Sequence, residues 1–337
     1  MNARIGAANA LLEVAPDAWD ALLDELGVAD AYLLRNYVEA SCLLDPGHPA
    51  FLSSGDAVFA CILREVGSGS ALVDATTPYG YGGPVGRAGN PPEERFYHLY
   101  RAWCAERGVV TTFVRYHPLF ENWRSAPREV VLERLADTAS WPLADADLLA
   151  GVHAMHRRGA RKAERAGVEV SVVAAPPRLA DFAALYEEAM RRRAAETFYL
   201  FAPAYWEALV RLDERLVRLD ARLDGELVAS LLLLATPPWL HYHLGAASES
   251  GFSVGASKLL FVEAARWGRR HGFAELHLGS GLGGRRDSLW EFKQRFSPHG
   301  GRQFWIGKLV HDADAYRELT GDGAVDGFFP RYRAVGR

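Results

Sequence analysis

The chain is 337 residues long, 49% apolar, 11% aromatic and 24% charged, with a formal net charge of −4. This composition excludes collagen-like, coiled-coil and disordered classes, and at ~100–200 residues per domain it favours two domains. A mildly acidic balance also argues against a bulk nucleic-acid binder.

The N-terminal MNARIGAANALLEVAPDAW makes a poor signal peptide. The longest apolar run, Leu227 to Ala235, is far shorter than the ~20 residues a membrane span requires. A cytosolic protein is therefore expected. Cys42, Cys61 and Cys104 form no CxxC pair, and their odd number does not suggest a disulfide framework. Only four of the 38 basic residues are lysines: Lys162, Lys258, Lys293 and Lys308. An ammonium kept in so arginine-rich a chain draws attention to each of them.

Along the chain, strands are expected at Ala57–Glu65 and Ala71–Asp74, followed by the loop TTPYGYGGPVG (76–86). Its glycines allow close backbone approach to a ligand, while its tyrosines offer flat faces and hydroxyls. A tight structural turn is the plain alternative. Residues 95–115 then read as an amphipathic helix, a capping Gly108 and a strand. Residues 259–279 repeat that pattern around Gly272, so a duplicated α/β module is inferred.

The boundary is placed within Ser140–Leu149, with Asp147 as a possible cap for the next helix. That helix, 151–166, is very basic. Arg157, Arg161 and Arg165 align at i, i+4, i+8, with Lys162 beside them, as a phosphate-binding stripe or simply a solvated face. A strand at Val168–Val173 and a helix capped by Asp181 and running through Arg193 come next. Arg191, Arg192 and Arg193 suit that helix's C-terminal dipole. Arg215–Leu223 and Glu226–Ala235 form a hairpin through Asp224-Gly225, followed by a strand at Trp239–Leu244.

No Walker loop, HExxH or GxSxG motif occurs. His241 and His243 would share a strand face, but no neighbouring carboxylate or cysteine completes a metal set, and polar packing is the better reading. The segment DSLWEFKQRFSPHGGRQFWIGKL (287–309) is the most informative. Asp287 or Ser288 caps a short helix, Leu289, Phe292 and Phe296 form its buried stripe, and Lys293 lies at the stripe's edge. A partly desolvated ammonium there could stabilise a developing oxyanion; the alternative is a solvated helix lysine.

The series HRRGARKAERAGVEV, DGELVASLLLL, HYHLGAASES, SVGASKLLFVEAARWGRRHGFAELHLG and DSLWEFKQRFSPHG, with YGYGGP in the first half, resembles the Fem-type (FemABX) aminoacyltransferases of the GNAT superfamily, in a compact form without a coiled-coil arm. The resemblance is strongest over 151–310. It implies an α/β fold of two tandem GNAT-like modules, mixed central sheets flanked by helices. Module one is expected at 1–148, with the tail 311–337 packing back on it, and module two at 149–310.

It further implies transfer of an amino acid from aminoacyl-tRNA to the amine of a peptide-type acceptor, an antibiotic intermediate or a cell-wall precursor. Lys293 then stabilises the oxyanion, positioned by Phe292, and Phe296 closes the FKxxF motif. Tyr79, Tyr81, Gly83, Tyr242, Arg192 and Phe296 become substrate-binding residues, and Arg157, Arg161, Lys162 and Arg165 meet tRNA. No metal or redox cofactor is implied, and a monomer is expected. Gly86-Arg87 stands where cell-wall-precursor enzymes often carry an Asp, which weakens that acceptor class. FSVGAS (252–257) departs from the R/Q-x-x-G-x-G/A loop of acyl-CoA-dependent GNAT enzymes at Phe252 and Ser257, which makes acyl-CoA the lesser donor. A non-catalytic peptide- or RNA-binding module is the third reading.

Overall fold

The computed structural model describes residues 10–28, 30–67, 69–193, 197–296, 301–321 and 327–334. In chain order the elements are β1 (Leu12–Glu13), α1 (Pro16–Leu26), α2 (Arg35–Ser41), β2 (His48–Ser53), β3 (Ala57–Glu65), β4 (Val73–Thr76), β5 (Val85–Gly86), α3 (Glu94–Glu106), β6 (Val109–Arg115) and β7 (Val131–Pro142). They continue with α4 (Ala154–Arg165), β8 (Glu169–Ala174), α5 (Ala180–Arg192), α6 (Pro203–Val210), β9 (Leu216–Leu223), β10 (Glu226–Thr236), β11 (Trp239–Ala247), α7 (Glu249–Val254), α8 (Ala256–Arg270), β12 (Glu275–Gly279), α9 (Ser288–Gln294), β13 (Gly301–Val310) and α10 (Ala313–Thr320). Among the described residues no helix is long and apolar enough to cross a membrane.

The chain divides into two units, 1–135 with 303–337, and 136–302. In the first, the strand order is β1-β2-β3-β4-β6-β13, with β5 beside β3. β2, β3 and β4 form an antiparallel meander, β6 lies parallel to β4, and β13 lies antiparallel to β6. The parallel step needs a crossover, and α3 supplies it. β3 reads as continuously apolar because both of its faces are covered. Ala57, Phe59 and Cys61 meet Phe96, Tyr100 and Trp103 of α3, while Val58, Ala60 and Ile62 meet Trp19, Leu23 and Val38 on the α1–α2 side. The C-terminal segment is fastened here: Tyr332 Oη is 2.8 Å from Thr111 Oγ1, and Arg333 pairs with the buried Asp74, which also accepts from Arg64 Nε at 2.7 Å.

The second unit has strand order β7-β12-β11-β10-β9-β8. β8 to β11 form an antiparallel meander, β12 lies parallel to β11 after the α7–α8 crossover, and β7 pairs antiparallel with β12. The β9–β10 turn places both Asp224 (φ 52°) and Gly225 (φ 83°) in the left-handed region, as a two-residue hairpin requires. Its core gathers Leu219, Leu231, Leu233, Leu240 and Leu276 against Leu260, Phe261 and Ala264 of α8.

Each unit therefore contains a meander, a helical crossover to a parallel strand and a further antiparallel strand. This is the half-chain repeat visible around Gly108 and Gly272, both with positive φ. The fold is α/β with two tandem GNAT-like modules. Their borders differ from 148 and 310. Residues 139–142 pair with β12 and so belong to the second unit, whereas 306–310 pair with β6 and belong to the first.

Three local expectations are also corrected. The strand expected at Ala71–Asp74 is Val73–Thr76. The residue preceding α5 is Leu179, and Asp181 lies inside its first turn. α4 begins after His153, whose side chain accepts from Met155 N, while Asp147 closes a turn onto Leu149 N.

Candidate functional site

β11 and β12 of the second unit are paired over three residues only, Trp239–His241 against Glu275–His277. Beyond them β11 runs on to Ala247 and β12 to Gly279 without further pairing. On the β10 side, Leu232 opposes Leu244 and Leu233 opposes Tyr242, so His243 is a bulged residue. Tyr242 and its neighbours on β11 therefore border an opening between two parallel strands.

α9 is only seven residues long, so its placement depends on its ends. Asp287 fixes the first. Its Oδ1 accepts from Trp290 N at 2.8 Å and its Oδ2 from Leu282 N at 3.0 Å. These bonds draw the loop after β12 tight. At Gly281 a Cβ would run into Arg285 O and Asp287 Oδ1, so no larger residue fits without movement.

Within this frame the side chains buried from α9 onward are Trp290, Lys293 and Phe296 rather than Leu289, Phe292 and Phe296. Lys293 is thus inside the buried stripe, not at its edge, with only 7% of its surface exposed. Its Nζ donates to Ser280 O at 2.7 Å and lies 5.0 Å from the centre of the Tyr242 ring. Among the described residues no carboxylate comes within ion-pair distance of it.

Burial pushes the Lys293 ammonium down to about 7, with the more distant Asp287 charge opposing the shift. An ammonium has three N–H donors, and a single protein carbonyl takes one of them. The ring face of Tyr242 adds cation–π attraction but accepts no ordinary hydrogen bond. The site therefore presents a desolvated cation able to donate to a ligand oxygen. Burial raises the Tyr242 phenol to about 12, so it stays protonated at neutral pH.

The other expected substrate residues are distributed differently. Phe292 is half-buried, its ring 5.5 Å from Phe261. Phe296 is fully buried, 4.3 Å from the His156 ring and 5.5 Å from Trp141, so it is core and offers no surface to a substrate. Arg192 is partly spent on Ala247 O at 2.6 Å, holding the end of β11. His241 and His243 take different partners. His241 Nδ1 is 3.2 Å from His277 Nδ1, and His243 Nε2 is 2.9 Å from Tyr205 Oη.

The YGYGGP loop belongs to the first unit and is filled by the protein itself. Tyr81 is buried against Tyr32, His117 and Phe304. Asn122 Nδ2 donates to Gly82 O and Pro84 O, and a Cβ on Gly83 (φ +91°) would meet that amide and Val114. Tyr81 and Gly83 are thus packed within the first unit. These glycines leave room for the protein's own side chains. Tyr79 is half-buried, and its carbonyl accepts from Tyr37 Oη at 2.6 Å.

On α4 the basic stripe splits. Arg157 Nη1 lies within hydrogen-bond reach of Leu149 O, Ala150 O and Val152 O, so it clasps the preceding loop. Lys162 Nζ donates to Ser253 O at 2.8 Å, and Arg165 Nε reaches Arg161 O at 3.3 Å. Arg158 and Arg161 are exposed and have no side-chain partner among the described residues. Sequence reasoning missed two groups at the site, the Ser280 carbonyl and His156. Neither carries a local signal: a backbone carbonyl such as that of Ser280 has no residue type to mark it, and His156 meets α9 from a distant point in the chain.

Residues 151–294 match the family model of the acetyltransferase (GNAT) domain. No curated protein matches the chain. Among solved structures, FemX is similar over 91% of this chain and 99% of its own, at 12% identity and a TM-score of 0.66. The C-terminal domain (DUF2156) of a putative lysylphosphatidylglycerol synthetase from Agrobacterium fabrum covers 93% of this chain and 99% of its own, at 18% identity and a TM-score of 0.60. L-PGS from Bacillus licheniformis covers 88% and 92%, at 17% identity and a TM-score of 0.56. At these identities the likeness is one of fold.

Proposed function

We propose that this protein is an acyltransferase that forms an amide by moving an amino acid from aminoacyl-tRNA to the amine of a peptide-type acceptor. The observation that carries this reading is Lys293, a buried ammonium with one protein acceptor and no counter-ion among the described residues, beside the opening between β11 and β12. The GNAT domain match over the segment holding Lys293 supports acyl transfer. The fold shared with FemX and with a putative lysylphosphatidylglycerol synthetase supports the aminoacyl form of it.

In this mechanism the neutral acceptor nitrogen attacks the ester carbonyl. The C–N bond forms and the carbonyl electron pair moves onto oxygen. Lys293 donates to that oxyanion from a site largely closed to water, where such donors are most effective. Collapse breaks the ester C–O bond. The proton lost by the nitrogen ends on the departing ribose oxygen, so the balance closes without a redox or metal co-reactant. Tyr242 supplies the wall on which the ammonium rests, and Phe292 sets the side of α9 facing Phe261. Arg158 and Arg161 are the cations of α4 best placed to meet tRNA phosphates.

The test is a reconstituted assay with aminoacyl-tRNA and candidate peptide amines, with and without ribonuclease. Ribonuclease abolishes the product if tRNA is the donor. Product that persists, or that forms from an acyl-CoA instead, overturns the donor assignment.

A further inference from the structure

His156 stands out among the buried polar groups that the reaction above leaves unused. It is 1% exposed, on α4, and its ring centre lies 4.9 Å from Phe292 and 4.3 Å from Phe296. Nε2 lies 2.9 Å from Phe292 O, and Nδ1 has no partner among the described residues. That leaves one tautomer consistent with the contacts, in which Nε2–H donates to the carbonyl. A buried ring nitrogen without a partner is a cost, so the imidazole is not there for packing alone.

Its acceptor explains what it does. In a regular helix the Phe292 carbonyl would take the N–H of Phe296, but Phe296 N bonds to Lys293 O at 3.0 Å instead. The last turn of α9 therefore leaves Phe292 O outside its own ladder, as helix ends do. His156 supplies the missing donor from another helix. A second bond, His153 N to Arg295 O at 2.9 Å, fastens the same end. Asp287 holds the start of α9 and α4 holds its finish, with Lys293 between them.

We infer that His156 is the positioning residue for Lys293: by donating to the Phe292 carbonyl it holds the end of α9 that keeps the amine buried on Ser280 O. The inference rests on the role proposed for Lys293, and it makes α4 the brace of the transfer site. Burial, opposed by the bond to Phe292 O and reinforced by the nearby charges of Lys258, Arg295 and His153, brings the imidazole down to about 4. It therefore stays neutral at working pH and adds no second charge beside the lysine, whose own titration also feels Asp287.

The test compares wild type, His156→Leu and His156→Gln, the last keeping an N–H donor of similar reach, with Lys293→Met as the blank. Titration of the Lys293 amine is read without substrate, from the pH dependence of its acetylation by acetic anhydride, followed by peptide mass spectrometry. With four lysines in the chain the peptides are readily told apart. His156→Leu is expected to raise the midpoint by about one unit or more and to lower kcat by about tenfold or more with KM unchanged, while His156→Gln stays close to wild type. A folded Leu variant with wild-type midpoint and kcat overturns the inference. If the Leu variant does not fold, His156→Asn, whose amide falls short of the carbonyl, takes its place with the same two outcomes. A raised midpoint in a protein that transfers no acyl group upholds His156's hold on the amine and overturns the transfer reading instead.

Discussion

Replacing Lys293 by Met should make the protein more stable. The ammonium is held to 7% exposure, and its pKa falls from the usual 10.5 to about 7. At ~1.4 kcal/mol per unit this corresponds to a burial penalty of about 5 kcal/mol when the group is charged in both folded and unfolded states. Local relaxation and the unpaired Ser280 carbonyl left in the variant reduce the gain, so an increase of about 2–3 kcal/mol at pH 6 is expected.

The pH dependence has a definite sign. Because the folded pKa is depressed, the unfolded chain binds more protons between about 7 and 10.5, so wild-type stability rises with pH across that window. Below 7 the penalty is complete, and above 10.5 it is gone. The advantage of Lys293→Met should therefore be largest below pH 7, vanish within the window and reverse by pH 10.5, where the neutral amine still bonds Ser280 O and Met cannot. Urea titrations of both proteins at several pH values between 6 and 10.5 measure it. A variant that is less stable than wild type at pH 6, or a difference that does not change with pH, refutes the burial argument.

Further outcomes follow from the same geometry. With the acceptor already neutral, above its own amine pKa, the single-turnover rate of acyl transfer should fall with rising pH as Lys293 loses its proton, and Asp287→Asn, which removes the charge and keeps one of the two backbone bonds, should lower the Lys293 midpoint; an unmoved midpoint in the Asn variant removes Asp287 from the electrostatics. Arg158→Glu with Arg161→Glu should weaken tRNA binding and reduce the log–log salt slope by about two without unfolding the protein; filter binding across a salt series checks it, and unchanged affinity leaves α4 a solvated face. Gly281→Ala should destabilise by about 1–3 kcal/mol, because its Cβ meets Arg285 O and Asp287 Oδ1; a variant as stable as wild type shows that the loop is not drawn tight.

Those elements whose signals are local were legible in the sequence. The Asp224-Gly225 turn needs two left-handed residues in succession, and few pairs besides Asp-Gly accept that so readily. Gly108 and Gly272 mark two helix ends for the same reason, and from them the repeat follows. The interior of the site was less legible. α9 makes only two turns, too few for periodicity to separate a buried face from its edge, so Lys293 was expected one position off the stripe it occupies.

The contacts that make Lys293 distinctive come from Ser280 and Tyr242, and no spacing rule links them to it. Side-chain type was silent on partners in two places. Arg157 reads as a phosphate ligand in the sequence, and the structure adds three loop carbonyls at its Nη1; Gly83 reads as a ligand-facing glycine, and the structure adds Asn122 packed against it. In both, the backbone or side chain served is the protein's own.

The most direct measurement is single-turnover aminoacyl transfer by wild type and Lys293→Met, with donor and acceptor affinities determined separately. A buried ammonium acting on the oxyanion predicts a loss of about 100-fold or more in the chemical step with both affinities retained. A Met variant that transfers at close to the wild-type rate would contradict it.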